Sequence, residues 1–246
     1  MRIYGINPVL EALRAGRVRA IHLSPRGDHR VAEIERLAES RGVPVTRSAA
    51  DAIDRLASGA RHQGVVADVQ EREALDVSDL ISGATGVPLL VVLDQIEDPH
   101  NVGAILRTVD AAGGDGVIQQ SRRAARLDGV AAKSSAGALA HVRVAEVVNI
   151  ARALDELKES GVWTVGLAGE ADKRYDEVDL TLPTALVIGA EGTGLRRLVR
   201  EKCDWLVSIP LRGHVQSLNA SVAAGIALFE AVRQRRRPPQ AGTPKK

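Results

Sequence analysis

Residues 89–93 form an unbroken apolar run, Leu-Leu-Val-Val-Leu, which ends directly at Asp94. A strand that is apolar on both faces is typical of a parallel sheet with helices packed on each side. Further apolar runs alternate with helical patterns along this region, which predicts a doubly wound α/β domain with a parallel sheet. The predicted strands are residues 116–118, 162–167, 185–188 and 205–209, and the predicted helices are residues 104–112, 129–139, 151–157, 195–202 and 218–232.

The last predicted helix, residues 218–232, is amphipathic. Its apolar face is expected to consist of Leu218, Val222, Ile226 and Phe229. An apolar stripe of this width normally faces the core of a globular domain.

The first 75 residues have their own alternation of short helices and strands. Helices are predicted from Asn7-Pro8 onward and over residues 31–38 and 49–56, and strands over residues 20–23, 43–45 and 65–67. A chain of 246 residues suits one large domain or two small ones. The predicted organisation is a small α/β domain (residues 1–75), a polar linker (76–87), a second α/β domain (88–237) and a disordered tail (238–246).

Charge is distributed unevenly along the chain. Residues 1–75 contain 12 Arg and no Lys, and residues 233–246 contain six basic residues and no acidic one. A basic tail on a mildly acidic body indicates a polyanionic partner, but a solubilising chain end has the same composition. The tail alone does not decide between the two interpretations.

The composition excludes several classes of protein. The single cysteine, Cys203, has no partner for an internal disulfide or a cysteine-based zinc site, and the six scattered histidines predict no metal site. No apolar run approaches the ~20 residues that span a bilayer, and the N-terminus lacks the pattern of a signal peptide. We expect a cytoplasmic protein without a membrane partner.

Three loops follow predicted strands, at the edge where open α/β sheets bind ligands. The first, residues 94–103, leads into a helix that carries Arg107, and it contains Asn101, which could be a simple N-cap. The second, residues 189–194, has three glycines but matches neither a dinucleotide fingerprint nor a P-loop. The third, residues 209–221, contains Ser217 and Asn219, either of which would cap the next helix. Together they indicate a phosphate- or nucleotide-like ligand.

The three loops carry motifs with a recognisable order and spacing. They are Asp-Pro-His-Asn-Val-Gly-Ala-Ile-Leu-Arg-Thr at residues 98–108, Leu-Val-Ile-Gly-Ala-Glu-Gly at 186–192, and Ile-Pro at 209–210 with Ser-Leu-Asn-Ala-Ser-Val-Ala at 217–223. This set resembles the motifs of the SpoU (TrmH) family of RNA 2′-O-ribose methyltransferases, a branch of the SPOUT class. Residues 4–13 and 62–65 resemble the start and end of the L30e-like substrate-binding domain of 23S rRNA guanosine-2′-O-methyltransferases.

The resemblance implies a homodimeric enzyme whose SPOUT domain ends in a trefoil knot and binds S-adenosylmethionine there. By motif position, the implied cofactor contacts are Gly189, Ile209 and Leu218. The implied catalytic cluster is Asn101, Arg107, Glu191, Ser217 and Asn219. Arg107 is either a base or a clamp for the ribose phosphate, and the clamp is physically simpler because a guanidinium stays protonated.

The expected function is S-adenosylmethionine-dependent 2′-O-methylation of a guanosine in 23S ribosomal RNA. Transfer-RNA and antibiotic-resistance rRNA 2′-O-methyltransferases share the motifs and remain alternatives, although the separate N-terminal domain favours the ribosomal enzyme. A non-catalytic RNA-binding protein is the alternative from another class, and the intact motif residues argue against it. With 2 Trp, 2 Tyr and 1 Phe, serial base stacking is not expected, so arginine contacts with phosphate carry the binding.

Overall fold

Two β-sheets organise the chain in the computed structural model, which describes residues 1–25, 30–70 and 74–236. The N-terminal sheet has the order β1-β4-β2-β3, in which β4 runs antiparallel to β1 and β2, and β2 is parallel to β3. Its elements are β1 (Arg2–Tyr4), α1 (Ile6–Arg14), β2 (Val18–Leu23), α2 (Val31–Ser40), β3 (Val45–Arg47), α3 (Ala50–Leu56) and β4 (Val65–Val69). This confirms a small α/β unit and adds β1, which the sequence pattern did not predict.

The second sheet is entirely parallel and has six strands. The helix α4 (Val77–Ser82) precedes the sheet. The strands of the sheet and the helices that connect them are, in chain order, β5 (Leu89–Asp94), α5 (Pro99–Ala112), β6 (Gly116–Gln120), α6 (Gly129–Ser134), a 3₁₀ turn (Ala138–Ala140), β7 (Val144–Val147), α7 (Ile150–Glu159), β8 (Trp163–Leu167), β9 (Thr184–Gly189), α8 (Arg197–Lys202), β10 (Trp205–Val207) and α9 (Ala220–Arg235). The strand order is β10-β8-β9-β5-β6-β7. The parallel doubly wound sheet is confirmed, and the contact of α9 with β9 and α5 is consistent with the predicted knot.

Strand β5 is buried along its whole length between β9 and β6. Leu89, Val91 and Leu93 point into a core shared with α5 and α9. Leu90 and Val92 point to the other face, where they meet α4, α7 and α8. The unbroken apolar run is therefore explained by helices on both faces.

The segment predicted as a linker, residues 76–87, contains the helix α4. Asp76 accepts a hydrogen bond from the backbone N–H of Asp79 (2.8 Å), and the Asp79 carboxylate accepts one from the N–H of Asp76 (2.9 Å). This capping box starts the helix, and Val77 and Leu80 then bury themselves in the second core.

The helix predicted over residues 129–139 is shorter than expected. Helix α6 ends at Ser134, and Gly137 has a φ of 103° before the 3₁₀ turn. A left-handed residue cannot continue a right-handed helix, so the apolar pattern extends beyond the helix. Strand β7, which follows, was not predicted.

Helix α9 buries a different face from the predicted one. Its buried apolar side chains are Leu228 and a set of alanines (Ala220, Ala224, Ala227 and Ala231). Val222 and Phe229 are each 49% exposed. Small residues let α9 approach α5 and β9 closely, and the larger apolar residues then face outward.

The N-terminal unit packs directly on α6 and the 3₁₀ turn. A side chain at Gly129 would overlap the ring of Tyr4, and Lys133 donates a hydrogen bond to the Arg61 carbonyl (2.6 Å). Residues of both units belong to one continuous apolar core. The N-terminal unit, which the sequence predicts to bind RNA, therefore lies beside α6, the helix that follows β6.

Two of the six basic residues counted in the tail serve the fold. Arg233 pairs with Glu230 at 2.7 Å, and the Arg235 guanidinium donates to the carbonyls of Leu180, Val87, Pro88 and Leu182 at 2.6–3.0 Å. Arg235 thus fastens the end of α9 to the start of β5, whereas the pair of Arg233 with Glu230 lies within α9. The predicted disordered tail, residues 238–246, lies outside the described residues.

Within the described chain, no helix is long and apolar enough to cross a membrane.

Candidate active site

The three motif loops meet at the carboxyl edge of the parallel sheet, after β5, β9 and β10. Helix α5 begins earlier than predicted, because Asp98 is its N-cap and accepts a hydrogen bond from the N–H of His100 (2.9 Å). Asn101 therefore lies in the first turn of α5, and the interpretation of Asn101 as the N-cap was wrong. Its amide is free to face the other loops.

Three of the predicted catalytic side chains form one hydrogen-bonded cluster. Glu191 Oε1 accepts from Asn101 Nδ2 (2.9 Å) and from Asn219 Nδ2 (2.5 Å). Asn219 Nδ2 also donates to Asn101 Oδ1 (2.9 Å). The three residues are 28 to 118 positions apart in sequence, so only the fold brings them together. A carboxylate shared by two amides fixes the orientation of both.

Asn219 has a second role, as the predicted N-cap of α9. Its Oδ1 accepts hydrogen bonds from the N–H of Ser221 (2.9 Å) and of Val222 (3.3 Å). One side chain thus joins the start of the C-terminal helix to the cluster around Glu191. Capping and alignment of the site depend on the same residue.

Substitutions at Asn219 are expected to separate these roles. Asn219→Ala removes both and should lower the free energy of unfolding by about 1 kcal/mol, as is typical for a lost N-cap. Asn219→Ser can still cap α9 but is too short to reach Glu191, so stability should be kept while methyl transfer falls. Thermal unfolding and single-turnover rates measure the two effects. Equal activity of the serine variant and the unmodified protein would contradict the alignment role.

A cleft of about 560 Å³ lies between the loops that follow β8, β9 and β10. All three predicted cofactor residues, Gly189, Ile209 and Leu218, line it, and Ser217 and Glu191 also line it. Its volume is in the usual range for a small-ligand site, and its lining combines apolar side chains with glycine backbone. These residues fit S-adenosylmethionine, because apolar walls can enclose an adenosine while backbone groups bind its polar edge, and Glu191 supplies negative charge for a sulfonium.

Among the glycines that line this cleft, Gly189 has the least room for a side chain. A Cβ there would overlap the carbonyl carbon of Gly194, which is backbone and cannot rotate away. The loop folds back on itself here, with Gly194 N–H donating to the Ala190 carbonyl (2.9 Å).

Gly189→Ala is expected to displace the glycine loop and to weaken cofactor binding. Overpacking of this kind costs about 1–3 kcal/mol, and here the cost falls on the cofactor site. The control is Gly213→Ala, since a Cβ at Gly213 meets nothing within 4 Å. Calorimetric titration with S-adenosylmethionine should show weaker binding for the first variant alone. Equal affinities would rule out the close approach as a requirement.

A second cavity, of about 350 Å³, adjoins the first. It is lined by the loop after β5, including Ile96, Asp98 and Asn101, and it shares Ala190, Glu191 and Thr193 with the cleft. Glu191 therefore stands in the wall between two cavities. Two ligands, one bound in each cavity, would therefore meet at the cluster of Asn101, Glu191 and Asn219.

Arg107 and Ser217 do not join the cluster. Both side chains are exposed, and neither makes a hydrogen bond or ion pair with another residue in the described part of the chain. Ser217 lines the cleft, and Arg107 lies six residues along α5 from Asn101. Both therefore remain predictions as catalytic residues.

One ion pair with a buried carboxylate lies beside the site and was not predicted. The Asp94 carboxylate, fully buried at the end of β5, accepts hydrogen bonds from the Arg196 backbone N–H (2.8 Å) and Nε (2.7 Å). Arg196 also donates to Gln120 Oε1 (2.9 Å). The signal in the sequence was an aspartate that closes an apolar run and an arginine two residues after the last loop glycine. This pair ties the exit of the glycine loop to the centre of the sheet.

Cys203 takes no part in the site. Burial raises the pKa of its thiol to about 12, so the reactive thiolate is not formed at neutral pH.

Comparison with known protein families gives two matches that divide the chain. Residues 88–229 match the SpoU rRNA Methylase family, and residues 2–75 match the domain described as RNA 2′-O ribose methyltransferase substrate binding. The two matches together span nearly all of the described chain.

Individual relatives cover different shares of the chain. The 23S rRNA (guanosine-2′-O-)-methyltransferase RlmB of Shewanella oneidensis is 45% identical over 239 residues, which is 95% of this chain and 97% of the relative. The SpoU methyltransferase AviRb of Streptomyces viridochromogenes, solved in complex with the cofactor AdoMet, superimposes with a TM-score of 0.81 at 30% identity, over 96% of this chain and 90% of that one. The TrmH/SpoU tRNA modifying enzyme of A. aeolicus gives a TM-score of 0.55 at 34% identity, over 65% of this chain and 82% of that one.

Proposed function

We propose a function for this chain from one premise: it belongs to the SpoU rRNA methylase family, an enzyme family of RNA methyltransferases that use S-adenosylmethionine. The proposed reaction is transfer of a methyl group to the ribose 2′-hydroxyl of a guanosine in 23S ribosomal RNA. The Shewanella oneidensis relative, which is named 23S rRNA (guanosine-2′-O-)-methyltransferase, matches almost the whole chain, including the N-terminal unit. The proposed substrate makes the cytoplasm the expected compartment.

The observation that carries the proposal is the pair of cavities on either side of Glu191. We assign the larger cleft, with Gly189, Ile209 and Leu218, to S-adenosylmethionine and the smaller cavity to the target nucleotide. An in-line methyl transfer needs its two reactants to meet in a fixed alignment, and two cavities with one common wall provide this. No metal ion is required by this chemistry.

The cluster at the wall would align the ribose. S-adenosylmethionine, when bound, supplies a methyl group on a positively charged sulfur. Glu191 Oε1 is occupied by Asn101 and Asn219, whereas Oε2 accepts no hydrogen bond from any described residue. In this proposal Oε2 accepts a hydrogen bond from the ribose hydroxyl and takes up its proton when the hydroxyl oxygen receives the methyl group, and Arg107 clamps the neighbouring phosphate. Ser217 at the cleft border contacts the cofactor or ribose.

Methyl transfer to defined transcripts tests the function. The purified protein is incubated with labelled S-adenosylmethionine and either 23S rRNA or tRNA, and the 2′-O-methylated position is mapped. We expect one guanosine of 23S rRNA to be labelled. Label in tRNA alone would support the tRNA alternative, although the A. aeolicus tRNA enzyme covers only 65% of this chain. RNA binding without transfer to either would support the non-catalytic alternative.

We also propose that the protein acts as a homodimer through the exposed apolar face of α9. Val222 and Phe229 are each 49% exposed, and Ile226 lies between them on the same face. These are the residues that the sequence pattern assigned to a buried face, and a second copy of the chain would bury them.

Charged substitutions on this face are expected to separate the protomers. Val222→Glu with Phe229→Glu should shift the protein from dimer to monomer, because burying each large apolar side chain contributes about 1.5–3 kcal/mol. Val148→Glu is the control, since Val148 is 86% exposed and lies on the β7–α7 loop. Sedimentation velocity measures the outcome. A dimer that survives the double substitution would place the interface elsewhere.

A further inference from the structure

Three arginines stand together on the loop between β6 and α6, residues 121–128. Arg122, Arg123 and Arg126 are exposed, and none makes an ion pair or hydrogen bond with another described residue. Many exposed arginines elsewhere have acidic partners, such as Arg14 with Glu33 and Arg197 with Glu201. The loop therefore presents three positive charges that the fold itself does not use.

The loop is hydrogen-bonded to a residue that lines the smaller cavity. The backbone N–H of Ala125 donates to the carbonyl of Ile96 (3.0 Å), and Ile96 lines that cavity with Asn101 and Glu191. The cofactor cleft lies on the β9 side of β5, whereas this loop lies on the β6 side. A nucleotide in the smaller cavity would thus have the cofactor on one side and the arginine loop on the other.

The loop is anchored at its middle and at its end. Ala125 is only 5% exposed and belongs to the main core, and Asp128 ends the loop as the N-cap of α6 (3.0 Å to the N–H of Val130). Arg123 has a φ of 55°, and Gln95 on the neighbouring loop has a φ of 60°. Side-chain-bearing residues adopt this left-handed region at some cost in energy, and such strain is concentrated at functional sites.

The charges of the loop suit a phosphodiester strand. Arginine binds phosphate through two parallel hydrogen bonds, and three arginines within five residues can contact successive phosphates. Glu97 and Asp98, on the loop that lines the cavity, repel a phosphate there. The base and ribose would enter the cavity while the flanking backbone crosses the arginines.

The loop also lies on the way from the cavity to the N-terminal unit. It runs directly into α6, whose Gly129 packs on Tyr4 and whose Lys133 donates to the Arg61 carbonyl. We infer that Arg122, Arg123 and Arg126 bind the RNA backbone next to the methylated ribose and guide the strand towards the N-terminal unit. This inference rests on the proposed function.

The test uses the triple variant Arg122→Gln, Arg123→Gln, Arg126→Gln in the full chain with a 23S rRNA transcript. We expect KM for the transcript to rise roughly 10-fold or more, with kcat and the affinity for S-adenosylmethionine nearly unchanged. The slope of log K against log salt for RNA binding should fall by about 2, since each contact with single-stranded RNA contributes about 0.7. A general loss of folding would instead change kcat and cofactor affinity as well.

The matched control is Arg152→Gln. Arg152 is also exposed, its side chain makes no ion pair within the described chain, and it lies on α7, on the opposite face of the sheet. The inference is overturned if the triple variant keeps the KM and the salt slope of the control. An unmodified protein that binds the transcript but methylates nothing would contradict the proposed function instead, and the binding slopes would still decide the role of the loop.

Discussion

Replacing Arg107 with alanine is expected to lower the rate of methyl transfer about 100-fold or more, the effect of losing one positioned contact to the transition state. The side chain is exposed and has no partner among the described residues, so its removal should leave stability within about 0.5 kcal/mol of the unmodified protein. Affinity for S-adenosylmethionine should also be kept, because Arg107 does not line the cofactor cleft. Single-turnover rates, thermal unfolding and calorimetric titration measure the three quantities.

Arg107→Lys distinguishes a phosphate clamp from a base. Lysine keeps the charge but loses the planar, two-pronged geometry, so a clamp should be only partly restored. A clamp also predicts no new pH dependence, whereas a lysine that acted as a base would give a rate rising towards its pKa near ~10.4. Full activity of Arg107→Ala would remove the residue from the mechanism.

Sequence patterns predicted the central strands of the parallel sheet because these strands are buried on both faces, whereas the half-exposed edge strand β7 was not predicted. The apolar run at residues 89–93 is followed by a predicted helix, which favours a buried parallel strand, and every residue of β5 is indeed buried. Short elements were harder: β1 has three residues, and α4 has only Val77 and Leu80 to bury. Their formation depends on partners far away in sequence, which local periodicity does not reveal.

The faces of α9 illustrate a second limit of pattern reading. A search for large apolar residues selects Val222 and Phe229, but the helix buries alanines because it must approach α5 closely. Hydrophobicity alone would bury the face with Val222 and Phe229 and expose the alanines, which is the reverse of what the structure shows. The distinction depends on the distance between two helices, which is a property of the tertiary structure.

The sequence predicted which residues belong to the candidate site but not how their side chains are arranged. The motifs identified Asn101, Glu191 and Asn219, and only the fold shows that one carboxylate oxygen joins both amides. Sequence reasoning assigned no partner to Asp94. An ion pair between residues 102 positions apart has no local pattern that predicts it.

Asp94→Asn is expected to be strongly destabilising. The Asp94 carboxylate is fully buried and lies against both the guanidinium and the backbone N–H of Arg196. Neutralising it leaves the arginine without its counter-charge, and breaking a buried pair costs about 3–5 kcal/mol. We expect about 3 kcal/mol, the low end, because the Arg196 side chain is 36% exposed and water recovers part of the loss.

The matched control is the neighbouring pair of Arg197 with Glu201. Their side chains are 77% and 52% exposed, so Glu201→Gln should cost no more than about 0.5 kcal/mol. Denaturant unfolding compares the two variants, and Arg196→Gln combined with Asp94→Asn should cost less than the sum of the single changes. Asp94→Asn should also weaken S-adenosylmethionine binding, because Arg196 fixes the exit of the glycine loop that lines the cleft. Equal stability of Asp94→Asn and Glu201→Gln would mean that other contacts hold this loop in place.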